Sequence, residues 1–278
     1  MNSFAKRFNK WWKDLSIFTK LYVVVGVMAI LIAMELFTLM FTINVLSAVR
    51  GFVGGEGLWS KSQKNAVIEI QNYIVFKDEK YYLAFKKNLE VPLGDRQARQ
   101  AMEQKVLDWD RAFQGFLRGK NHEEDIPSMI GLIRRFYWVS HLKKSIQAWQ
   151  DAETLLDELI VLGERIHVII QSKEQDLSTR ELKNLLNQLS HLNEQLTVLE
   201  DRFSYSLGEA SRWLEGTLLL IVLSLVLIVE CTGLFLTFRF SKSLSKTLKE
   251  INDAAHKVGK GDFSVKLPVH SHDELGQL

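Results

Sequence analysis

The chain has 278 residues, of which 47% are hydrophobic and 24% charged, and its formal net charge is +2. This charge gives no indication of a nucleic-acid partner, because the basic residues cluster beside two long apolar runs, where the positive side of a membrane accounts for them. Only three prolines and one cysteine are present. These counts exclude an intramolecular disulfide and, with few alternating apolar and polar runs, predict an all-α fold.

Residues 1–20 form a basic N-terminal segment rich in aromatic side chains. By the positive-inside bias and the aromatic belt, we predict a cytoplasmic segment at the membrane interface. The following run, 21–46, has one charged residue, Glu35, and is long enough to cross a bilayer with some tilt. We therefore assign residues 21–48 to a first transmembrane helix. A cleaved signal peptide is the alternative, but its apolar core is shorter and no small-residue cleavage pattern follows.

Residues 49–215 are predicted to form a helical domain outside the cytoplasm. Four glycines between positions 51 and 57 are expected to break or weaken the first helix, as a turn or a hinge, since glycine costs about 1 kcal/mol in a helix interior. The next helix is expected to end before Pro92, and Asp95 to cap its successor. That successor has an apolar stripe made of Met102, Val106, Trp109, Phe113, Phe116 and Leu117.

A loop is predicted at 119–125, followed by one long helix that begins near Pro127, where a first turn tolerates proline, and ends near residue 172. Helix geometry puts Arg134, Trp138 and His141 of this helix on one face, next to Arg135.

Guanidinium groups bind anions and aromatic rings wall apolar pockets. We therefore predict that this group binds a small-molecule ligand, and an anion in particular. The alternative location for the site is near Trp59 and Lys61. The competing interpretation of the arginine group is a charged surface beside core aromatic residues.

No catalytic, cofactor or metal site is predicted. Four histidines fall in 49–215, and no two of them have the i, i+4 spacing of a helical metal site: His122, His141, His167 and His191. Isolated histidines are ordinary surface and cap residues.

The last helix before the second apolar run has the most regular pattern in the chain. Its apolar stripe keeps spacings of three and four and continues toward the membrane: Leu182, Leu185, Leu189, Leu192, Leu196, Leu199, Phe203, Leu207, Ala210 and Leu214. Residues 217–238 then hold one charged side chain, Glu230, and a basic run begins at Arg239. We assign 216–238 to a second transmembrane helix and place both termini in the cytoplasm.

Glu35 and Glu230 are the two carboxylates inside the predicted spans. A charge near the bilayer centre costs about 2.5–3.5 kcal/mol on insertion scales. Each is therefore expected to face protein, by meeting its own copy in a dimer or a nearby hydroxyl such as Thr38 or Thr232. For Glu230, a side chain that snorkels to the interface is the alternative.

After the second span, an apolar stripe predicts a helix that pairs with other helices: Leu244, Leu248, Ile251, Ala255 and Val258. An extended connector from Gly261 to Pro268 follows, and Asp273-Glu274-Leu275-Gly276 opens a second helix. This succession resembles the HAMP linker, the signal-relay module just inside the membrane of bacterial histidine kinases, chemoreceptors and cyclases. The proline that family members often have after the membrane is absent from 241–244. The sequence stops about two turns into the second helix, so we predict a HAMP linker over 239–278 that is truncated, with an output domain beyond it.

Three further runs, 55–66, 91–96 and 121–127, look like the periplasmic region ahead of HAMP in some bacterial diguanylate cyclases and sensor kinases. The resemblances imply a homodimeric sensor of the bacterial inner membrane. It would detect a periplasmic small molecule or protein and signal to a cytoplasmic output, a diguanylate cyclase or histidine kinase, with no enzymatic activity in residues 1–278 themselves. A methyl-accepting chemoreceptor and a structural membrane scaffold are the alternatives.

Overall fold

The computed structural model describes residues 15–172 and 178–262, and in these ranges it consists of helices and short connections, without strands. The predicted all-α fold is confirmed. The helices are α1 (Ile17–Phe76), α2 (Glu79–Glu103), α3 (Trp109–Arg118), α4 (Ile126–Phe136), α5 (Ser140–Gln171) and α6 (Thr179–Gly259). The chain divides into a helical bundle, Phe41–Leu218, and a span unit, Met1–Met40 with Leu219–Leu278. Most of the predicted N-terminal segment lies outside the described residues.

Helix α1 continues through the glycine-rich stretch, so the predicted break is wrong. A Cβ atom at Gly51 would lie 2.7 Å from a methionine sulfur of α4, and one at Gly55 would lie 2.5 Å from Asn121 Oδ1. By contrast, Gly54 and Gly57 have nothing within 4 Å of such an atom. Gly51 and Gly55 therefore admit neighbouring elements close to the α1 backbone, and packing offsets their low helix propensity.

Helix α2 passes through Pro92, so the predicted helix end there is also wrong. Proline costs about 3 kcal/mol in a helix interior, and burial of Leu89, Val91 and Ala98 around it compensates. Asp95 is not an N-cap but a buried residue within α2.

The single helix predicted across residues 95–117 is in fact two. Helix α2 ends at Glu103, and Asp108 caps α3 by accepting a hydrogen bond of 3.1 Å from the amide of Arg111. Of the predicted stripe, Met102 and Phe116 are buried, whereas Val106 lies in the connection and is 82% exposed.

The long helix predicted from Pro127 is interrupted at residues 137–139, between α4 and α5. Pro127 does lie in the first turn of α4, as predicted. The interruption lets Ile130 of α4 and Ile146 of α5 both reach one hydrophobic cluster, which a straight helix with a single facing stripe does not allow. Tertiary packing has thus overridden local helix propensity.

Two hydrophobic clusters fill the bundle. The first core cluster contains Phe52, Met102, Phe116, Met129, Ile130 and Trp149 among others. The second core cluster contains Trp59, Ile70, Tyr73, Phe85, Leu156 and Leu189 among others. Between α2 and α5, the Arg99 guanidinium donates two hydrogen bonds to Glu153, of 2.7 and 2.6 Å, and one of 2.6 Å to Glu103.

Helix α6 buries seven of the ten residues of its predicted stripe in the bundle and continues unbroken to Gly259. The other three, Leu182, Leu199 and Phe203, are half-buried. Leu185, Leu189, Leu192, Leu196, Leu207, Ala210 and Leu214 are all buried. The three-four spacing therefore identified the packed face of this helix correctly, because it matches the helical repeat.

In the span unit, α1 and α6 each contain an apolar stretch long enough to cross a membrane, and none of the stretch in α1 is buried. Within this unit, a Cβ atom at Gly233 would lie 2.9 Å from the terminal methyl of Met28, so the two helices approach closely there. The guanidinium of Arg239 lies 5.7 Å from the ring centre of Phe235, a cation–π contact between residues one turn apart.

Candidate functional site

A cavity of about 40 Å³ lies inside the bundle, lined by residues of both core clusters. Its aromatic lining is Phe52 and Trp59 of α1, Phe116 of α3, Trp149 of α5 and Phe203 of α6. The rings contact one another in succession: ring centres lie 5.9 Å apart for Phe52 and Phe116, 6.5 Å for Phe116 and Trp149, and 6.2 Å for Trp149 and Phe203. A largely aromatic lining with few polar groups is the usual composition of a small-molecule site.

Asp95 brings a carboxyl group to this cavity. Asn121 Nδ2 donates to Asp95 Oδ1 at 3.0 Å and to the Phe116 carbonyl at 3.1 Å, so the amide holds the carboxyl against the end of α3. Burial raises the pKa of Asp95 well above its usual range, although the hydrogen bond from Asn121 opposes the shift. Gly55 makes room for Asn121, as described above.

Glu56 and Glu200 bring two more carboxyl groups, one from α1 and one from α6. Glu200 is 5% exposed, and its Oε2 atom accepts a hydrogen bond of 2.8 Å from Ser60 and lies 3.0 Å from Lys64 Nζ. Partial burial and the neighbouring Glu200 carboxylate raise the pKa of Glu56. These contacts place two like charges beside the aromatic walls, with Lys64 balancing part of their charge.

Three of the residues that line the cavity each have one buried polar atom without a hydrogen-bond partner among the described residues: Nε1 of Trp59, Nε1 of Trp149 and Oε1 of Glu200. All three side chains are more than nine-tenths buried. Buried donors and acceptors are normally paired, so unpaired ones require an explanation such as a bound molecule. Here two donors and one acceptor belong to residues that line the same cavity.

The predicted arginine group is not brought together as expected, because α4 ends before Trp138 and α5 begins after it. Arg134 Nη1 donates to the carbonyls of Met102 and Gln104, at 3.0 and 3.1 Å, and so caps the end of α2. Arg135 is exposed.

The two ring residues of that group also lie apart from the cavity lining. Trp138 is 76% exposed and donates to the Arg135 carbonyl. His141 lies near Trp213, with ring centres 5.8 Å apart.

Of the alternative pair, Trp59 lines the cavity, whereas Lys61 is exposed and does not. Sequence reasoning missed Glu56, Asp95, Trp149 and Glu200. The sequence does contain an indication of the three acids, because each lies at a position where the spacing of the apolar stripe predicts a buried apolar residue. Glu200 lies four residues after Leu196, and Asp95 lies four after Val91.

The predicted relay stripe lies on the last turns of α6. In the single chain Leu248 is 50% and Val258 42% exposed, Ala255 is exposed, and Leu244 and Ile251 are half-buried. Helix α6 ends at Gly259, and Gly261 has φ +92°, which only glycine adopts without strain. The predicted connector beyond residue 262 lies outside the described residues. Pro268 and Glu274 lie outside the described residues.

Glu35 is half-buried on α1 and Glu230 is exposed on α6. Neither carboxylate has a hydrogen-bond or ion-pair partner among the described residues, and they do not pair with each other. The Thr38 hydroxyl, which was a predicted partner of Glu35, donates to the Met34 carbonyl at 2.9 Å.

Residues 239–278 match the HAMP domain family. No curated protein matches the chain. No solved structure matches it either. A HAMP domain is a non-catalytic linker of signal-transduction proteins, so together with the two apolar helices the match supports a transmembrane sensor that carries a HAMP linker.

Proposed function

We propose that the chain is the sensory and relay part of a homodimeric receptor in the bacterial inner membrane. The helical bundle lies in the periplasm and detects a small molecule or a protein. A displacement of α6 then passes through the second span into the HAMP domain and sets the activity of a cytoplasmic output, a diguanylate cyclase or a histidine kinase.

One observation carries the proposal: α6 is a single helix from Thr179, in the bundle, to Gly259, in the region that matches HAMP. Its bundle part is packed through the leucine stripe, so a change in packing there moves a helix with no proline to absorb the movement before Gly259. A stimulus acts on such a helix only if it stabilises one packing more than another. The candidate site meets α6 at Glu200 and Phe203.

The relay requires a second copy of the chain. The stripe from Leu244 to Val258 presents apolar side chains at heptad spacing, partly exposed in one chain. Such a stripe is stable in water when another helix covers it. A second HAMP copy is the proposed occupant, since the HAMP linkers that this segment resembles act as parallel dimers.

Disulfide cross-linking tests this arrangement. In a Cys231→Ser background, single cysteines replace the stripe residues Leu244, Leu248, Ile251 and Val258, and matched controls replace Asn252, Asp253 and Lys257 of the same helix. We expect rapid cross-linking at the stripe positions only, with a helical period. Equal rates at stripe and control positions would contradict the dimer.

Topology is tested on the same background with a membrane-impermeant maleimide. A cysteine at Lys61, exposed on the bundle, is expected to react in intact spheroplasts, whereas one at Lys249 reacts only after lysis. Labelling of Lys249→Cys from outside would reverse the proposed orientation.

A further inference from the structure

The cavity described above has a definite electrostatic character. Three carboxyl groups line it, and among the described residues no lysine or arginine does. Aromatic ring faces carry partial negative charge and attract cations. Lys64, whose Nζ lies 3.0 Å from Glu200 Oε2, balances only part of this charge. A bound anion would meet the remaining carboxyl groups and the ring faces, so this cavity suits a cation or a neutral molecule.

The unpaired hydrogen-bonding groups of the lining residues restrict the kind of ligand further. Glu200 Oε1 needs a donor, and the indole N–H groups of Trp59 and Trp149 need an acceptor. A purely apolar guest leaves all of them unpaired, which is unfavourable in a buried site. A suitable guest therefore carries both a donor and an acceptor.

The size of the cavity limits the guest to a small molecule. One water molecule requires about 10–15 Å³ of cavity volume. A cavity of about 40 Å³ therefore holds a molecule of three or four water-sized groups. A metal ion is not supported, because no group of three His, Cys, Asp or Glu side chains among the described residues is arranged to hold one.

We propose that the cavity binds a short organic ammonium compound that carries an oxygen acceptor, such as a small amino alcohol. The ammonium group lies against Glu200 and Glu56, within the aromatic walls, and the oxygen accepts a hydrogen bond from the indole of Trp59 or Trp149. The inference rests on the proposed sensory function, for which this compound is the stimulus.

The geometry also gives the ligand a mechanical role. Glu56 and Trp59 belong to α1, whereas Glu200 and Phe203 belong to α6. A cation held between Glu56 and Glu200 relieves the repulsion of their two carboxylates and draws the helices together. The ligand therefore favours one packing of α6 in the bundle, as the relay requires.

Binding is measured on chain 1–278 in lipid nanodiscs, by tryptophan fluorescence and by the thermal unfolding temperature. Four probes of similar size are compared: ethanolamine, propylamine, ethylene glycol and glycolate. We expect a saturable response to ethanolamine, a weaker one to propylamine, which lacks the oxygen, and none to ethylene glycol or glycolate. No saturable response to any probe would show that the cavity holds water only, and binding of ethylene glycol or glycolate as tight as that of ethanolamine would also overturn the proposal.

Glu200→Gln keeps the size of the side chain and removes its charge, so it should weaken ethanolamine binding at least about tenfold. The matched control is Glu194→Gln, an exposed glutamate of the same helix outside the cavity, which should bind like the parent chain. If Glu200→Gln does not fold, Glu56→Gln serves instead, and unchanged affinity in that variant overturns the assignment.

The binding and cross-linking experiments distinguish an error in the ligand assignment from an error in the proposed relay. Absence of binding refutes the amino-alcohol assignment and leaves the cross-linking pattern of 244–258 as the test of the relay. Binding that leaves the cross-linking rates of the stripe cysteines unchanged refutes the relay and leaves the site intact.

Discussion

The glycine-rich stretch of α1 permits a sharp comparison of neighbouring substitutions. Gly54 and Gly57 have open space where a Cβ atom would be, whereas a Cβ atom at Gly55 would lie 2.5 Å from Asn121 Oδ1. In a continuous helix, glycine to alanine stabilises by about 0.5–1 kcal/mol where the new methyl group meets nothing. We therefore expect Gly54→Ala and Gly57→Ala each to raise the free energy of unfolding by that amount.

Gly55→Ala makes the same gain in helix propensity but must displace Asn121, which holds Asp95. Overpacking typically costs about 1–3 kcal/mol, so the net effect runs from about zero to about 2.5 kcal/mol of destabilisation. The difference between Gly54→Ala and Gly55→Ala is thus about 1–3 kcal/mol. For a unit the size of the bundle, this difference corresponds to roughly 2–12 °C in the unfolding temperature.

Thermal unfolding of the full chain in nanodiscs, followed by intrinsic fluorescence, measures all three variants. Destabilisation by Gly54→Ala and Gly57→Ala would refute the continuous helix, since alanine is unfavourable only if these glycines form a turn with positive φ. Equal stabilisation by all three would refute the close approach of Asn121.

Three further outcomes follow from the buried polar groups and the α2 cap. Because the pKa of Asp95 is raised in the folded state, its contribution to stability is fully present below its unfolded pKa of about 3.9 and is lost as the pH rises through the folded pKa. Asp95→Asn should accordingly stabilise the chain at pH 8 and make little difference at pH 4, and an equal effect at both pH values in denaturant titrations would contradict this. Arg99→Met removes two hydrogen bonds to buried Glu153 and leaves it only Arg96, whose Nε lies 3.5 Å from Glu153 Oε2. It should therefore destabilise by up to about 3–5 kcal/mol, against less than about 1 kcal/mol for Arg202→Met at the exposed pair with Asp151. Similar losses in both variants would show that burial does not strengthen the Arg99–Glu153 pair. Arg134→Ala should destabilise the chain by about 0.5–1.5 kcal/mol, because it removes two hydrogen bonds to backbone carbonyls. Arg135→Ala should change stability by less than about 0.5 kcal/mol. A larger loss for Arg135→Ala than for Arg134→Ala would show that Arg134 does not cap α2 and is free to bind a ligand.

Features that depend on one helix alone were predictable from the sequence. The leucine stripe of α6 and the first-turn position of Pro127 follow from the helical repeat and from proline geometry, which are local properties. The loop at 119–125 was likewise marked by Gly119 and by the polar residues after it. For these features no long-range contact needed to be known.

Features decided by contacts between helices were not predictable in the same way. Gly55 and Pro92 both indicate a break when their propensities are considered alone, yet both lie inside helices, because packing contributes more than about 1–3 kcal/mol at each position. At 137–139 the reverse holds: the local sequence is compatible with a helix, yet the helix is interrupted. The interruption allows the apolar faces of α4 and α5 to pack into the same core cluster. Arg134 and His141 were consequently assigned to one face that does not exist.

The candidate site is also a product of tertiary structure, but its acids leave a trace in the sequence. Glu56 lies between Phe52 and Trp59 with spacings of four and three, so it occupies a core position of α1, as Asp95 does in α2 and Glu200 in α6. An apolar residue at each position would avoid the cost of burying a carboxyl group. Asp95 is held by Asn121. The carboxyl groups of Glu56 and Glu200, which reach one cavity from two different helices, are better explained by a ligand that uses their charge than by stability. In this proposal, the cost of burying the two carboxylates is the reason that the packing responds to the ligand. A cation that neutralises them stabilises the arrangement of α1 and α6 that holds it, whereas a fully apolar lining would offer a cation no such contact.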